Sequence, residues 1–286
     1  MSGLARIPAF KDYATRAGAA KLSIVTTVRN GEKTLGRTIA SIRAQKIPGL
    51  EYVIVDAAST DDTLNIIRAN TDIINFWKSE PDRGISDGFN KGIALSTGAY
   101  ISLLNADDWL SPGQLLAGLA TLESTGADFV FGDLVYHDAQ GIPLHRVRGD
   151  AGYAHRIAHG MPAMNHPTVI VRRDAYERFG LFDTGLRYAM DYELLLRFHR
   201  AGCRGVYEPR MAGAMSLGGA SDRHIAATLR EVREISMRHG YPAVTAHLRY
   251  GFRRMKTSAR AAAERLLPHA ASMMLRRLFN RWLTPA

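Results

Sequence analysis

Tyr100-Ile-Ser-Leu-Leu-Asn105-Ala-Asp-Asp-Trp109 is the stretch whose reading decides the fold. Tyr100 to Leu104 is a short, mostly apolar run preceded by Gly98, the pattern of a strand buried on both faces of a parallel sheet. It runs straight into Asn105, Asp107 and Asp108, at the carboxyl end of the strand, where open α/β sheets place their ligands. Adjacent carboxylates there offer the oxygen ligands that Mg²⁺ or Mn²⁺ shares with substrate phosphates. The same residues also fit a solvated acidic turn, with Ser111-Pro112 opening the next helix.

Working outward, the pattern repeats on the N-terminal side. Leu22 to Val28 is a β-branched run that ends at a turn, Arg29-Asn-Gly31. Leu35, Ile39 and Ile42 follow at helical spacing. Tyr52-Val-Ile-Val-Asp56 is a second buried strand ending in a carboxylate, and Ser59-Thr-Asp-Asp62 starts a helix in the manner of a capping box. Ile73 to Trp77 reads as a third strand. Ser86 opens a helix that stops at Gly98. Strand alternating with helix in this way predicts parallel strands, right-handed crossovers and helices on both faces. Carboxylates at the ends of several such strands converge on one crevice, so Asp56 is a candidate for a base or ribose; it is equally suited to a turn.

Beyond Phe129-Val-Phe-Gly-Asp133 the character changes. Asp138-Ala-Gln-Gly141 signals a hairpin turn. Residues 149–167, rich in Gly, His, Met and Pro, show no period and read as one long loop. Val169 to Val171 reads as a short strand, and residues 174–179 and 191–198 as helices. His155 and His159 are spaced for a metal on a helix, but their segment lacks helical periodicity.

The 286 residues carry a net charge of +10 and a single cysteine, Cys203. One thiol excludes an internal disulfide framework and favours a reducing compartment. The charge is uneven: from Arg249 to Ala286 nine Lys and Arg face Glu264 alone, a net +8 that leaves only +2 for the rest. Phe252, Met255, Ala259, Ala262 and Leu266 form one helical stripe. After Pro268, Met274, Leu278 and Trp282 lie opposite Arg276, Arg277 and Arg281. Basic amphipathic helices of this kind lie on anionic membrane surfaces or dock onto protein. No apolar run is long enough to span a bilayer. The expected organisation is an N-terminal extension (1–20), a catalytic domain (21–220) and a basic helical extension (221–286).

Several chemistries lose support because their motifs are missing. The chain has no G-x-G-x-x-G, no G-x-x-x-x-G-K-[ST], no H-E-x-x-H and no G-x-S-x-G. The near-neutral body, without aromatics interleaved on a basic sheet, argues against a nucleic-acid-binding module.

Four segments, Leu22–Asn30, Tyr52–Thr63, Ser79–Gly92 and Leu104–Trp109, together resemble the family 2 glycosyltransferases. The resemblance runs in the family's order over roughly residues 20–215 and is nearest the bacterial exopolysaccharide and colanic-acid-like branch. It implies an α/β, GT-A nucleotide-sugar-binding domain, a Rossmann-like mixed sheet flanked by helices. It implies inverting transfer from a nucleoside diphosphate sugar to a glycan or lipid-linked acceptor hydroxyl, with Mg²⁺ or Mn²⁺. By the resemblance, Asp56 reads the nucleoside, with Thr27, Asn30 and Asn105 also on the nucleotide side. Asp107 is the metal-binding member of the family's D-x-D, with Asp108 beside it. Asn105 stands where many members have the first aspartate. Arg83 and Lys91 are cations placed to meet the diphosphate, or solvated surface charges.

Inversion by single displacement needs one carboxylate to take the acceptor's proton. Gly180 to Leu194 resembles the family's acceptor-side motif, and Asp191 matches its base; aspartates also cap helices in such places. His166, in Asn165-His-Pro167, is a candidate for the acceptor pocket. The partners expected are the donor, the acceptor and an anionic membrane surface, not nucleic acid. The expected location is cytoplasmic, peripheral on the inner face of the cytoplasmic membrane. The rival enzyme is a sugar-1-phosphate nucleotidyltransferase, whose glycine-rich N-terminal loop Arg29-Asn-Gly-Glu-Lys33 does not match. A non-catalytic protein led by its basic tail is the other alternative.

Overall fold

In chain order the first half folds as β1 (Leu22–Val28), α1 (Leu35–Arg43), β2 (Glu51–Asp56), α2 (Thr63–Arg68), β3 (Phe76–Ser79), α3 (Ile85–Leu95) and β4 (Tyr100–Asn105). The computed structural model describes residues 21–138, 140–216 and 224–266, the last seven as backbone alone. The N-terminal extension and the Pro268–Ala286 tail lie outside the described residues.

The four strands are parallel in the order β3-β2-β1-β4. Alternate residues of each serve opposite faces, as the two-residue period requires. Val25, Val53, Ile101 and Leu103 join Phe89 and Ile93 of α3 on one face. Leu22, Ile24, Ile54 and Leu104 join Leu35, Ile39 and Ile42 of α1 on the other. Helix α3 lies unusually close to β1 because its facing positions are glycines. A Cβ on Gly92 would stand 2.1 Å from Val25 Cγ1, and one on Gly88 2.8 Å from Thr27 Cγ2.

The second half is mixed: β5 (Trp109–Leu110), α4 (Gln114–Thr125), β6 (Phe129–His137), β7 (Pro143–Val147), α5 (Tyr153–Arg156), β8 (Ile170–Arg172), α6 (Arg173–Phe179), α7 (Met190–Arg200), β9 (Gly205–Ser216), α8 (Ile225–Arg238) and α9 (Ala243–Leu266). β8 pairs antiparallel with β4 and with β6, which continues the sheet through β9 to β5. The β6–β7 hairpin falls at the expected turn, with Gly141 at φ 82°. Val232 and Ile235 of α8 pack into the same core as α7 and the sheet, so packing continues across residue 220.

Three expectations are corrected. The third strand begins at Phe76, not Ile73. Ile74 is buried and, with Ile73, closes a turn bonded to Asn70 after α2, so this apolar pair serves a helix end rather than a strand. Helix α4 starts at Gln114, because Gly113 at φ 75° ends the turn that Ser111 opens. Residues 149–167 are not one loop but hold α5 and two 3₁₀ turns, Ile157–His159 and His166–Thr168. Turns this short expose no period, yet Tyr153 and Ile157 anchor them in the core.

Candidate active site

Register alone brings the strand ends together. Thr27 lies opposite Asn105, Val28 opposite Asp56, and Asp56 opposite Ser79. Asp56 is fully buried, yet its carboxylate is well satisfied: Ser59 N, Ser59 Oγ and Ser79 Oγ all donate to it. The loops after β1 and β2 are laced over it. Asn30, in the left-handed region at φ 53°, receives Thr60 N on Oδ1 at 2.9 Å and gives its own N–H to Ser59 Oγ at 2.7 Å. Gly31 N donates to Thr63 Oγ1 at 2.8 Å. Fixed loops of this kind present a preformed cradle at the sheet's carboxyl edge.

The acidic turn after β4 splits its two carboxylates. Asp107 is exposed, whereas Asp108 points inward at 1% exposure. Burial, then the Asp107 charge, pushes the Asp108 carboxyl up to about 8, against the opposing pull of His166, Asn105 and Arg37. Asn105 Nδ2 donates to Asp108 Oδ2 at 3.1 Å, while Asn105 Oδ1 and Asp108 Oδ1 are buried without partners.

Helix α1 grips this turn from beneath. Thr38 Oγ1 lies 2.9 Å from the Ala106 carbonyl and 2.7 Å from that of Asp108; Ser41 Oγ receives Leu110 N; Arg37 donates to the Asp107 carbonyl at 3.1 Å. The Arg37 guanidinium lies 3.6 Å from the Trp109 ring centroid, a cation–π stack that holds both. Sequence reasoning missed Arg37, which carries no motif and stands 70 residues from Asp107.

The two expected diphosphate cations fare differently. Lys91 is engaged inside the fold, 3.0 Å from Glu80, 3.3 Å from Asp87 and donating to the Pro81 carbonyl. Arg83 pairs with Asp87 at 3.1 Å but its side chain is 76% exposed, so it is the cation presented to solvent.

Asp191 occupies the first turn of α7. Among the described residues its carboxylate pairs with one side chain: Oδ1 lies 3.2 Å from His166 Nδ1. His166 thus joins Asp191 rather than standing apart. Burial works against the charged imidazole, but Asp191, Asp108 and Asp107 together hold His166 above its ordinary value. The acidic turn and the α7 carboxylate therefore act on one histidine. His166 also lies against Phe89, and its Nε2 is buried without a partner. A small apolar pocket lined by Leu103, Val169, Tyr176, Phe182 and Leu194 backs the pair.

Helix α7 is itself tied down. Arg197 donates to the carbonyls of Phe179, Gly180 and Leu181 and pairs with Glu193 at 2.9 Å. Burial works against the Glu193 carboxylate, yet bonds from His239 and Arg197 hold its pKa down at about 2. Asn90 exchanges two 2.9 Å hydrogen bonds with the backbone of Phe182, so this motif residue fixes the approach to α7.

Among the described residues no three His, Cys, Asp or Glu side chains converge as a preformed metal cage, the His155–His159 spacing included. The donor set of the turn still fits a hard cation. Asp107 faces outward and two unpartnered oxygens lie beside it, a small ligand set suited to an ion that completes its coordination on water and phosphate.

A parallel nucleotide-type half-sheet completed by mixed strands, with an acidic turn at its carboxyl edge, is the architecture of a GT-A glycosyltransferase. The glycosyl transferase family 2 model matches residues 23–180, more than half of the chain, and the chain belongs to that family. EpsE of Bacillus subtilis, a putative glycosyltransferase, is 29% identical over 65% of this chain and 69% of its own length. The succinoglycan biosynthesis protein ExoU of Rhizobium meliloti is 32% identical over 44% of this chain and 36% of its own. The mannosyltransferase PcManGT of Pyrobaculum calidifontis, solved with GDP-Man and Mn²⁺, shares the fold at a TM-score of 0.61 and 17% identity, over 92% of this chain and 81% of that one. Against one S. aureus TarS structure of the same fold, the match spans 41% of that protein's chain.

Proposed function

We propose that this protein transfers one sugar from a nucleoside diphosphate sugar to an acceptor hydroxyl, with inversion, in the making of a bacterial polysaccharide. The observation that carries the reading is the pairing of Asp191 with His166, 3.2 Å apart, on which the Asp108 and Asp107 charges also bear. On this reading Asp191 is the carboxylate of the acceptor side and Asp107 the outward carboxylate of the diphosphate side. Thr27, Asn30 and Asn105 line the nucleoside and ribose, with the buried Asp56 fixing Ser59 beneath them, and Arg83 faces the diphosphate with Lys91 bracing it through Asp87. Asp107, with Asp108 at the base of the turn, would hold Mg²⁺ or Mn²⁺; when bound, the ion supplies positive charge that stabilises the departing diphosphate. Asp191 takes the proton of the acceptor hydroxyl, and His166, paired with it at 3.2 Å, borders the acceptor side. ExoU's part in succinoglycan biosynthesis and the exopolysaccharide-type motifs support a glycan or lipid-linked acceptor.

The test is a panel of UDP-, GDP- and dTDP-sugars, read as release of nucleoside diphosphate with Mg²⁺, Mn²⁺ or EDTA. One donor should be cleaved in a cation-dependent way. Release of pyrophosphate from a nucleoside triphosphate and a sugar 1-phosphate would instead establish the nucleotidyltransferase.

We propose further that the C-terminal region attaches to an anionic membrane surface on the cytoplasmic side. Val244, Leu248, Phe252 and Met255 recur along α9 at spacings of four, four and three and are all more than half exposed. Arg254 and Lys256 flank this stripe, and among the described residues no helix is long and apolar enough to cross a bilayer. Each cation near such a surface contributes about 1 kcal/mol. The protein should sediment with phosphatidylglycerol-containing vesicles at low salt and be released by Leu248→Ser with Phe252→Ser. Full-length protein that stays in the supernatant at low salt removes the membrane reading.

A further inference from the structure

Asp191 poses a problem of positioning. A general base must leave a carboxylate oxygen open to the substrate, which limits how far other side chains can hold it. Among the described residues its one polar side-chain partner is His166, across 3.2 Å, and Oδ1 has no hydrogen bond of good geometry. Its location is therefore fixed by the backbone that leads into α7. Residues 179–182 of that backbone are held by Arg197 and Asn90. The last three residues before the helix, Arg187, Tyr188 and Ala189, are held by a single group from a different part of the chain.

That group is Glu231, on α8. Arg187 N donates to Oε1 at 3.0 Å, and Tyr188 N and Ala189 N both donate to Oε2 at 2.8 Å. Three consecutive amides converging on one carboxylate make a strong, directional clamp, because each bond is charge-assisted. It ends two residues before Asp191. The contacts around it run the same way: Arg238 pairs with Asp183 at 2.9 Å, and Tyr192 OH bonds Ser236 Oγ at 2.9 Å.

We propose that Glu231 is the positioning residue for Asp191, holding the entry of α7 so that the carboxylate stands in register with the acceptor. The proposal rests on Asp191 being the base. It makes α8, which lies beyond the region matched by the family model, a working part of the catalytic centre. Misplacing a reacting group by about an ångström costs up to a hundredfold in rate, so loss of the clamp is expressed in turnover rather than in donor binding.

The experiment is a double-mutant cycle read with the donor identified from the nucleotide-sugar panel. Glu231→Gln keeps size and shape but replaces one acceptor oxygen with a donor. It should lower turnover about tenfold, leave UDP or GDP titration unchanged, and speed amide hydrogen exchange at residues 187–189. In an Asp191→Asn background the same change should lower the residual rate less than twofold, since the group it positions is already gone. Independent, multiplying losses in the two backgrounds overturn the proposal and make Glu231 an ordinary structural contact. Parental turnover in Glu231→Gln overturns it as well, while leaving the Asp191 reading intact. If Asp191→Asn itself runs at the parental rate, the reading of the base fails first, and a slow Glu231→Gln then refutes the positioning role. Should the Gln variant not fold, Glu231→Asp, a carboxylate withdrawn by one methylene, carries the same comparison.

Discussion

Asp191→Asn is expected to lower turnover roughly a hundredfold or more, the scale of a missing general base, with donor binding nearly unchanged. The amide is isosteric, so the contact with His166 is kept while the proton acceptor is lost. The alternative reading of Asp191, as a helix cap, makes a different forecast. Loss of a cap costs about 1 kcal/mol of stability and leaves the chemistry alone. Neither carboxylate oxygen takes a backbone N–H of α7, which favours the first forecast. Steady-state turnover, nucleotide titration and thermal unfolding on the same sample separate them. A variant with parental turnover places the base elsewhere.

Asp107→Ala is expected to abolish cation-dependent nucleotide binding altogether. Asp107 is the outward carboxylate of the turn, and its neighbour Asp108 is buried, with a carboxyl pushed up to about 8. Without Asp107 the turn therefore presents no outward carboxylate. Asn105, an uncharged amide, does not compensate. Titration of UDP and GDP with Mn²⁺ and with EDTA reads the effect directly. Metal-dependent binding that survives in the variant assigns the cation to other residues. Asp108→Asn makes a useful contrast: it keeps a neutral group beside Asn105 and should weaken binding far less.

Sequence made the first half of the sheet legible because its signals are local. Tyr100 to Asp108 carries both the buried strand and the carboxylates it ends in, and Tyr52 to Asp56 repeats the arrangement. Parallel pairing then follows from the crossover rule, and with it the alignment of Thr27, Asn105 and Asp56. Where residues serve a neighbour rather than their own element, the reading slips. Ile73 and Ile74 look like a strand yet close a turn, and Tyr153 and Ile157 anchor short turns that have no period to detect. Lys91 reads as a phosphate-facing cation from its motif alone; only the fold brings Glu80 and Asp87 around it.

The supports of the site are the least legible part. Arg37 and Thr38 act on the acidic turn from about 70 residues away, and Glu231 acts on Tyr188 from 43. None belongs to a motif, because each reads backbone carbonyls or amides, which every residue type supplies. Side chains that recognise main chain leave no pattern of paired residue types.

The grip of α1 on the acidic turn bears on how such enzymes can be recombined. The Asn105–Trp109 segment is short enough to look portable, and exchanging it between relatives is an obvious route to a new metal preference. Its shape, however, is dictated by hydroxyls and a guanidinium contributed by a helix in the first crossover. Transplanted alone, the segment arrives without its mould. The smallest exchangeable cassette is therefore discontinuous, pairing that segment with Arg37, Thr38 and Ser41, and chimeras cut between the two inherit mismatched halves of one part.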